Sequence, residues 1–147
     1  MTKEFEISQE LEDLSKEVIE KEHLDFGEAK LGFLLVDPYI SKTTVGRCMR
    51  TNKELKFFSK YDYIIEMSKE AWEAIDDKVR YILMYHELLH IHMENDEKTQ
   101  EVKFLLKDHD VKDFYIIIKK YGIDWFTNLK TLVAGIYEFD KEEDLNI

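Results

Sequence analysis

Two histidines and a glutamate stand close together in the order His86-Glu87-Leu88-Leu89-His90. Residues four apart on a helix are neighbours on one face, so both imidazoles can reach one metal ion at ~2.0–2.1 Å. Glu87 lies about a quarter turn around the helix, where its carboxylate can reach a water on that metal. The spacing therefore predicts hydrolysis of peptide bonds, with His86 and His90 as metal ligands and Glu87 as general base.

The segment that carries this motif is apolar on nearly all sides. Residues 81–93 place apolar side chains around the histidines, a pattern typical of a buried central helix. Polar side chains in such a helix are costly unless they have partners, so a metal explains why His86, Glu87 and His90 are there. Zinc is the expected ion, because it binds imidazole nitrogen and lowers the pKa of its water to ~7.

A catalytic zinc site needs a third protein ligand and keeps its fourth position for water. His109 is the favoured candidate, because it follows His90 by 19 residues and precedes a predicted helix, in a loop that can return to the metal. Carboxylates also serve as third ligands in zinc peptidases, so four acidic residues remain alternatives: Glu101, Asp108, Asp110 and Asp113. Asp108 or Asp110 could instead accept the Nδ1 hydrogen of a ligand histidine.

The other candidate side chains have ordinary explanations. His92 falls on the opposite side of the predicted helix from His90, and His23 ends a surface helix. Cys48 lies in a strand-like segment with no histidine next to it, which indicates a small core residue and not a nucleophile. A compact three-histidine endoribonuclease motif is disfavoured, because Asp96 stands where its last histidine would be.

The segments that must position these residues divide into early strands and late helices, which indicates an α+β fold. We expect a small antiparallel or mixed sheet packed on the central helix, with further helices after it. Strands are predicted at residues 31–36, in a hairpin of 45–51 and 55–58 around a turn at 51–54, and at 61–67. Residues 61–67 alternate in polarity, which is typical of a half-buried strand and suggests a sheet edge.

Helical spacing covers much of the remaining chain, which we expect to form a single domain over residues 1–147. Helices are predicted at 8–23 within an N-terminal region of 1–30, from Ser68 past Trp72, from the Asp76-Asp77 cap to about 93, from 110–113 to Gly122, and at 123–139. Residues 102–106 fit either a strand or part of a helix. Residues 140–147 are acidic and are expected to be a frayed tail.

Composition and charge exclude several classes of protein. The 147 residues carry 21 Lys and Arg against 32 Asp and Glu, so the chain of net charge −11 should be repelled by nucleic acid. Residues 42–60 are an exception, with six basic side chains against Glu54 alone, and predict a basic hairpin capable of weak nucleic-acid contact.

One cysteine excludes an internal disulfide. An acidic start and the lack of a ~20-residue apolar run predict a cytoplasmic protein without membrane contact.

The motif and its surroundings resemble a known family. His86-Glu-Leu-Leu-His90, His109-Asp-Val-Lys-Asp-Phe114 and Tyr121-Gly-Ile-Asp-Trp125, with stretches at 31–38, 45–47 and 64–68, resemble the putative phage metallopeptidase domain, a compact zincin relative of the SprT-like proteases. The resemblance spans residues 31–125 and implies a zincin-like fold, His86, His90 and His109 as zinc ligands, catalytic Glu87, and the cytosol of a bacterial host as location. Unlike larger SprT-like proteases, this chain has no cysteine-rich DNA-binding module.

Two functional hypotheses come from these residues. The first is a zinc-dependent peptidase that acts on a protein or peptide, docked as an extended strand against residues 61–67. The second is a zinc-stabilised phage protein that binds or inhibits a partner and catalyses nothing. Glu87 discriminates between them, because only the enzyme needs a base beside the metal.

Overall fold

A computed structural model of the chain describes residues 2–110, 113–139 and 143–147. The described residues form an α+β fold, as predicted, with a four-stranded mixed sheet, a two-stranded sheet and helices around them. The strands are β1 (Glu4–Ile7), β2 (Leu31–Asp37), β3 (Gly46–Arg50), β4 (Tyr63–Ser68), β5 (Ile91–Asn95) and β6 (Val102–Leu106). The helices are α1 (Gln9–Lys21), α2 (Lys53–Ser59), α3 (Lys69–Ala74), α4 (Asp77–Leu88), α5 (Tyr115–Tyr121) and α6 (Asp124–Tyr137).

The larger sheet has the strand order β1-β2-β4-β3. β4 runs parallel to β2 and antiparallel to β3, so it lies inside the sheet, and all six of its residues are buried. The prediction of a half-buried edge strand at 61–67 is therefore wrong. Glu66 suggested a solvent-facing side, but this residue is only 4% exposed, and its carboxylate pairs with the guanidinium of Arg47 on β3 at 3.1 Å. A cross-strand ion pair thus allows an acidic residue on an internal strand.

The predicted hairpin at 45–58 is only half correct. Its first strand is present as β3, but residues 53–59 form helix α2. Asn52 caps this helix, because its side-chain oxygen accepts a hydrogen bond from the Leu55 amide at 2.7 Å. Phe57 and Phe58 suggested a buried strand, but their side chains are 68% and 82% exposed.

Helix α1 packs against α4 beneath the sheet. It confirms the helix predicted over 8–23, with Ser8 as its N-cap: the Ser8 hydroxyl accepts from the Leu11 amide at 3.2 Å. Leu11 and Val18 lie fully buried on its inner face. Strand β1 is not predicted from the sequence, because its four residues are all exposed and its order comes from pairing with β2.

Helix α4 begins as predicted, since Asp76 Oδ1 accepts a hydrogen bond from the Val79 amide at 2.9 Å. It ends at Leu88, earlier than the predicted end near residue 93, and the chain turns into β5. The hairpin β5-β6 directs the chain away from the helix. The single hydrogen of the Tyr63 hydroxyl points between two carbonyl oxygens of this hairpin, that of Leu105 at 2.7 Å and that of His92 at 3.0 Å. His90 therefore lies in the turn after the helix and not on it.

The last third of the chain contains the predicted helices with shorter bounds, and residues 102–106 form a strand. Gly122, with φ of 77°, ends α5 as expected. Residues 143–147 are not a frayed tail, because Leu145 and Ile147 are buried; residues 111, 112 and 140–142 lie outside the described residues. Among the helices that the structure describes, none is long and apolar enough to cross a bilayer.

Candidate metal centre

Three imidazoles meet at the end of helix α4. His86 comes from its last turn, His90 from the turn that follows, and His109 from the loop after β6. The Nε2 atom of His109 lies 2.9 Å from Nε2 of His86 and 2.9 Å from Nε2 of His90. The group could hold a metal ion, because one ring nitrogen from each residue lies within 4.8 Å of the others. Folding thus brings together all three histidines that the sequence analysis favoured.

Hydrogen bonds at the opposite ring nitrogens orient two of these imidazoles. His86 Nδ1 lies 2.7 Å from Asp113 Oδ1, and His90 Nδ1 lies 2.7 Å from the carbonyl oxygen of Lys107. Both partners are acceptors, so both Nδ1 atoms carry the hydrogen, and in the neutral form of either ring Nε2 presents a bare lone pair. A single hydrogen on His109 Nε2 cannot serve two lone pairs at once. A cation satisfies all three nitrogens, so the donor set fits a metal.

Asp113 holds His86 by a hydrogen bond and lies outside the group of residues that could hold a metal ion. Its side chain is buried, and Oδ1 accepts from the Phe114 amide at 2.8 Å in addition to His86. The indole of Trp125 donates to Oδ2 at 2.8 Å. The spacing along the chain predicts this role for Asp108 or Asp110, but Asp110 Oδ2 accepts a hydrogen bond from the Tyr115 amide at 2.9 Å.

The other acidic alternatives also lie outside the histidine group. Asp108 is exposed, and so is Glu101 in the turn ahead of β6. The ring of Phe114 closes the inner side of the site, with its centroid 5.2 Å from the rings of His86 and His90 and 5.4 Å from that of His109. An apolar wall of this kind limits solvent access to the ligand atoms.

Asp113→Asn is expected to weaken metal binding by ~10–100-fold. The two carboxylate oxygens of Asp113 accept three hydrogen bonds. Asparagine replaces one of these oxygens with an NH₂ group, which cannot accept a hydrogen bond from the donor that faces it. Metal affinity measured by competition with a chromophoric chelator checks this expectation. Asp108→Asn is the matched control, since it removes the same charge from an exposed position next to His109; equal affinities in the two variants would contradict the role of Asp113.

Burial keeps His90 and His109 in the neutral form that can bind a metal ion. Burial lowers the pKa of His90 to about 4 and also lowers the pKa of His109. Both imidazoles are therefore neutral at pH 7, as metal ligands must be.

Glu87 lies beside the histidines with its carboxylate fully buried. Among the described residues, neither carboxylate oxygen has a hydrogen-bond partner, and Oε1 lies 3.9 Å from His90 Nε2. Burial raises the pKa of Glu87 to about 7. A carboxyl group with this pKa can both accept and release a proton near neutral pH, which is what a general base needs.

Gly46 makes room for this carboxylate, a role that the sequence analysis did not assign. A Cβ atom at Gly46 would lie 2.7 Å from Glu87 Oε2 and 2.9 Å from the sulfur of Met67, both below van der Waals contact. The first residue of β3 therefore lies directly against the acid. From the sequence, the only signal was that Gly46 falls in the stretch 45–47 of the family resemblance.

The remaining candidates lie outside the site. His92 is exposed and pairs with Glu94 at 3.1 Å, and it is not among the clustered histidines. It lies on strand β5 and not on the far side of a helix as predicted. His23 follows helix α1 with positive φ. Cys48 packs against the core from β3, and burial raises the pKa of its thiol, which disfavours a thiolate nucleophile.

The basic segment 42–60 does not form the predicted hairpin, because residues 53–59 are helical. Lys56 pairs with Asp62 at 2.6 Å, and Arg47 pairs with Glu66. The guanidinium of Arg50 donates to the carbonyl of Phe104 at 3.1 Å. Three of the six basic side chains thus have partners within the chain, and nothing in the structure supports nucleic-acid contact.

One of three comparisons with known proteins found a match to the chain. Neither the curated proteins nor the solved structures include a match to the chain. A family model described as putative phage metallopeptidase matches residues 3–137, which contain the three histidines, Glu87, Gly46 and Asp113. A match over this share of the sequence, which includes the histidine group that could hold a metal, shows that the chain belongs to the putative phage metallopeptidase family.

Proposed function

We propose that the protein is a zinc-dependent peptidase with a zincin-like centre, in which His86, His90 and His109 hold zinc and Glu87 is the general base. One observation carries the proposal: three imidazole nitrogens converge beside a buried carboxylate that has no partner among the described residues. Imidazole-only ligand sets suit zinc, and three protein ligands leave a fourth position for water.

Bound zinc supplies Lewis-acid chemistry, which lowers the pKa of water and polarises a peptide carbonyl. The chain's own residues do the rest. Glu87 takes a proton from the attacking water on a carboxylate oxygen and passes it to the nitrogen of the leaving amine. Asp113 holds the His86 ring through Nδ1, and Phe114 limits access of bulk water to the site.

The rival hypothesis, a zinc-stabilised protein that only binds or inhibits, leaves Glu87 unexplained. A buried carboxyl group without hydrogen bonds destabilises a fold, whereas a site with only a structural role would gain from an apolar or paired residue there. Retention of an acid at that cost favours catalysis.

Metal removal and restoration test the proposed function directly. Chelation with EDTA is expected to abolish cleavage of a denatured protein substrate such as casein, and one equivalent of zinc per chain should restore it. Elemental analysis measures the metal that the chain retains. Cleavage that persists in fully metal-free protein would refute the proposal.

Gly46→Ala is expected to lower kcat by ~100-fold while zinc binding is retained, because the added methyl group must displace the Glu87 carboxylate. Steady-state kinetics with a fluorogenic peptide, together with zinc titration, separate the two effects. Gly135→Ala is the control, since its Cβ would meet no atom within 4 Å on helix α6 and should leave kcat unchanged. Equal activity in the two variants would mean that Glu87 tolerates a shift in position.

A further inference from the structure

The chain lays its own segment of residues 145–147 along an edge that leads into the metal centre. Asn146 forms a parallel β-bridge with Thr44, just ahead of β3. The Val45 amide donates to the carbonyl of Asn146 at 2.9 Å, and the Asn146 amide donates to the carbonyl of Thr43 at 2.6 Å. Residues 43–45 thus hold an extended segment through main-chain hydrogen bonds, which do not depend on its side chains.

The side chains of this segment alternate as in a strand. Leu145 is 5% exposed and Ile147 is 8% exposed, while Asn146 between them faces solvent. Side chains two residues apart point to the same face of an extended chain. The surface under residues 145–147 therefore accepts two aliphatic side chains separated by one residue of any polarity.

This edge is continuous with the catalytic residues. Val45 precedes Gly46, which lies against the Glu87 carboxylate. A cavity of about 130 Å³ lies between His109 and residues 144–147, so the bound segment also reaches the histidine group.

We propose that residues 43–45 are the docking edge for an extended peptide substrate with aliphatic side chains two residues apart, and that residues 145–147 occupy this edge as an internal competitor. The inference rests on the proposed function and adds a substrate class to it. It also replaces the edge expected at 61–67, which is closed because β2 and β3 flank β4.

Competition by residues 145–147 has a measurable consequence. A peptide binds only the fraction of molecules in which the edge is free, so its apparent affinity rises when the internal segment is weakened. Asn146→Pro removes the amide that donates to Thr43. Asn146→Ala keeps that amide and changes only an exposed side chain, which makes it the matched control.

The probe is a fluorescent peptide with the sequence of residues 143–147, and all proteins carry Glu87→Gln so that no cleavage interferes. Fluorescence anisotropy is expected to show about tenfold tighter binding to the Asn146→Pro protein than to the Asn146→Ala protein or to the parent. A second peptide with aspartate in place of both aliphatic residues should not bind. Equal affinity for all three proteins, or equal affinity of the two peptides, would overturn the proposal.

A measurement on the unaltered chain decides the matter if Asn146→Pro fails to fold. Excess unlabelled peptide added to ¹⁵N-labelled protein should expose the Asn146 amide to hydrogen exchange, while the Val45 amide stays protected by the incoming carbonyl. If peptide at saturating concentration leaves both amides protected, residues 145–147 are a fixed part of the fold and the proposal fails. Because neither readout requires turnover, a failure here is distinct from a failure of the peptidase proposal.

Discussion

Glu87→Gln is expected to lower peptidase kcat by ~10²–10⁴-fold while the zinc content stays near one ion per chain. The glutamine keeps the size of the side chain but cannot accept a proton from water. It does not touch the ligand atoms, since Glu87 Oε1 lies 3.9 Å from His90 Nε2. Steady-state kinetics with a fluorogenic peptide and elemental analysis of the same sample measure both parts of the expectation.

Glu94→Gln provides the control for this substitution, because it removes the same charge from an exposed side chain on β5. It should leave kcat unchanged. The melting temperature adds a second readout: Glu87→Gln should not lower it, since the buried carboxylate has no described hydrogen-bond partner to lose. If the Glu87→Gln protein keeps both full peptidase activity and full biological activity, Glu87 is not the general base.

His109→Ala is expected to weaken zinc binding by more than ~100-fold and to abolish activity with it. His109 Nε2 stands between the ligand nitrogens of His86 and His90, 2.9 Å from each, so its loss leaves only two ligands. Zinc titration with a chromophoric competitor measures the affinity. Thermal unfolding with and without zinc gives an independent check, because a bound ligand stabilises the folded state by mass action.

His92→Ala is the matched control, as it removes an exposed imidazole that is not among the clustered histidines. This variant should bind zinc and gain thermal stability from it as the parent does. An unchanged zinc affinity in His109→Ala would remove His109 from the site and return the third position to the neighbouring carboxylates.

The choice of third ligand illustrates what spacing along a chain leaves open. His109, Glu101, Asp108, Asp110 and Asp113 all lie within a short stretch, and any of them could reach the metal if the loop were arranged suitably. The structure brings His109 to the centre and uses Asp113 to hold His86. That assignment depends on the β5-β6 hairpin, which returns the chain towards α4, and on Trp125, which holds Asp113 from helix α6.

Two secondary-structure predictions were wrong because they relied on the polarity pattern alone. Polar residues on β4 suggested solvent, but Glu66 is paired across the sheet with Arg47. Apolar residues at 55–58 suggested a core strand, but Asn52 caps a helix there whose phenylalanines are exposed. In both cases a partner distant in sequence or a local cap outweighed the polarity pattern.

The sequence by itself determined the local features: the start of α4, the α1 helix and the β2 strand, because these depend on residues within a few positions of one another. It also placed His86 near His90, although α4 ends between them at Leu88 and not beyond both as predicted. Only the tertiary structure decided which strand is internal, which residue completes the histidine group, and that Gly46 leaves space for Glu87. These features join segments far apart along the chain. Their geometry comes from packing and strand pairing, which no short pattern of residue types encodes.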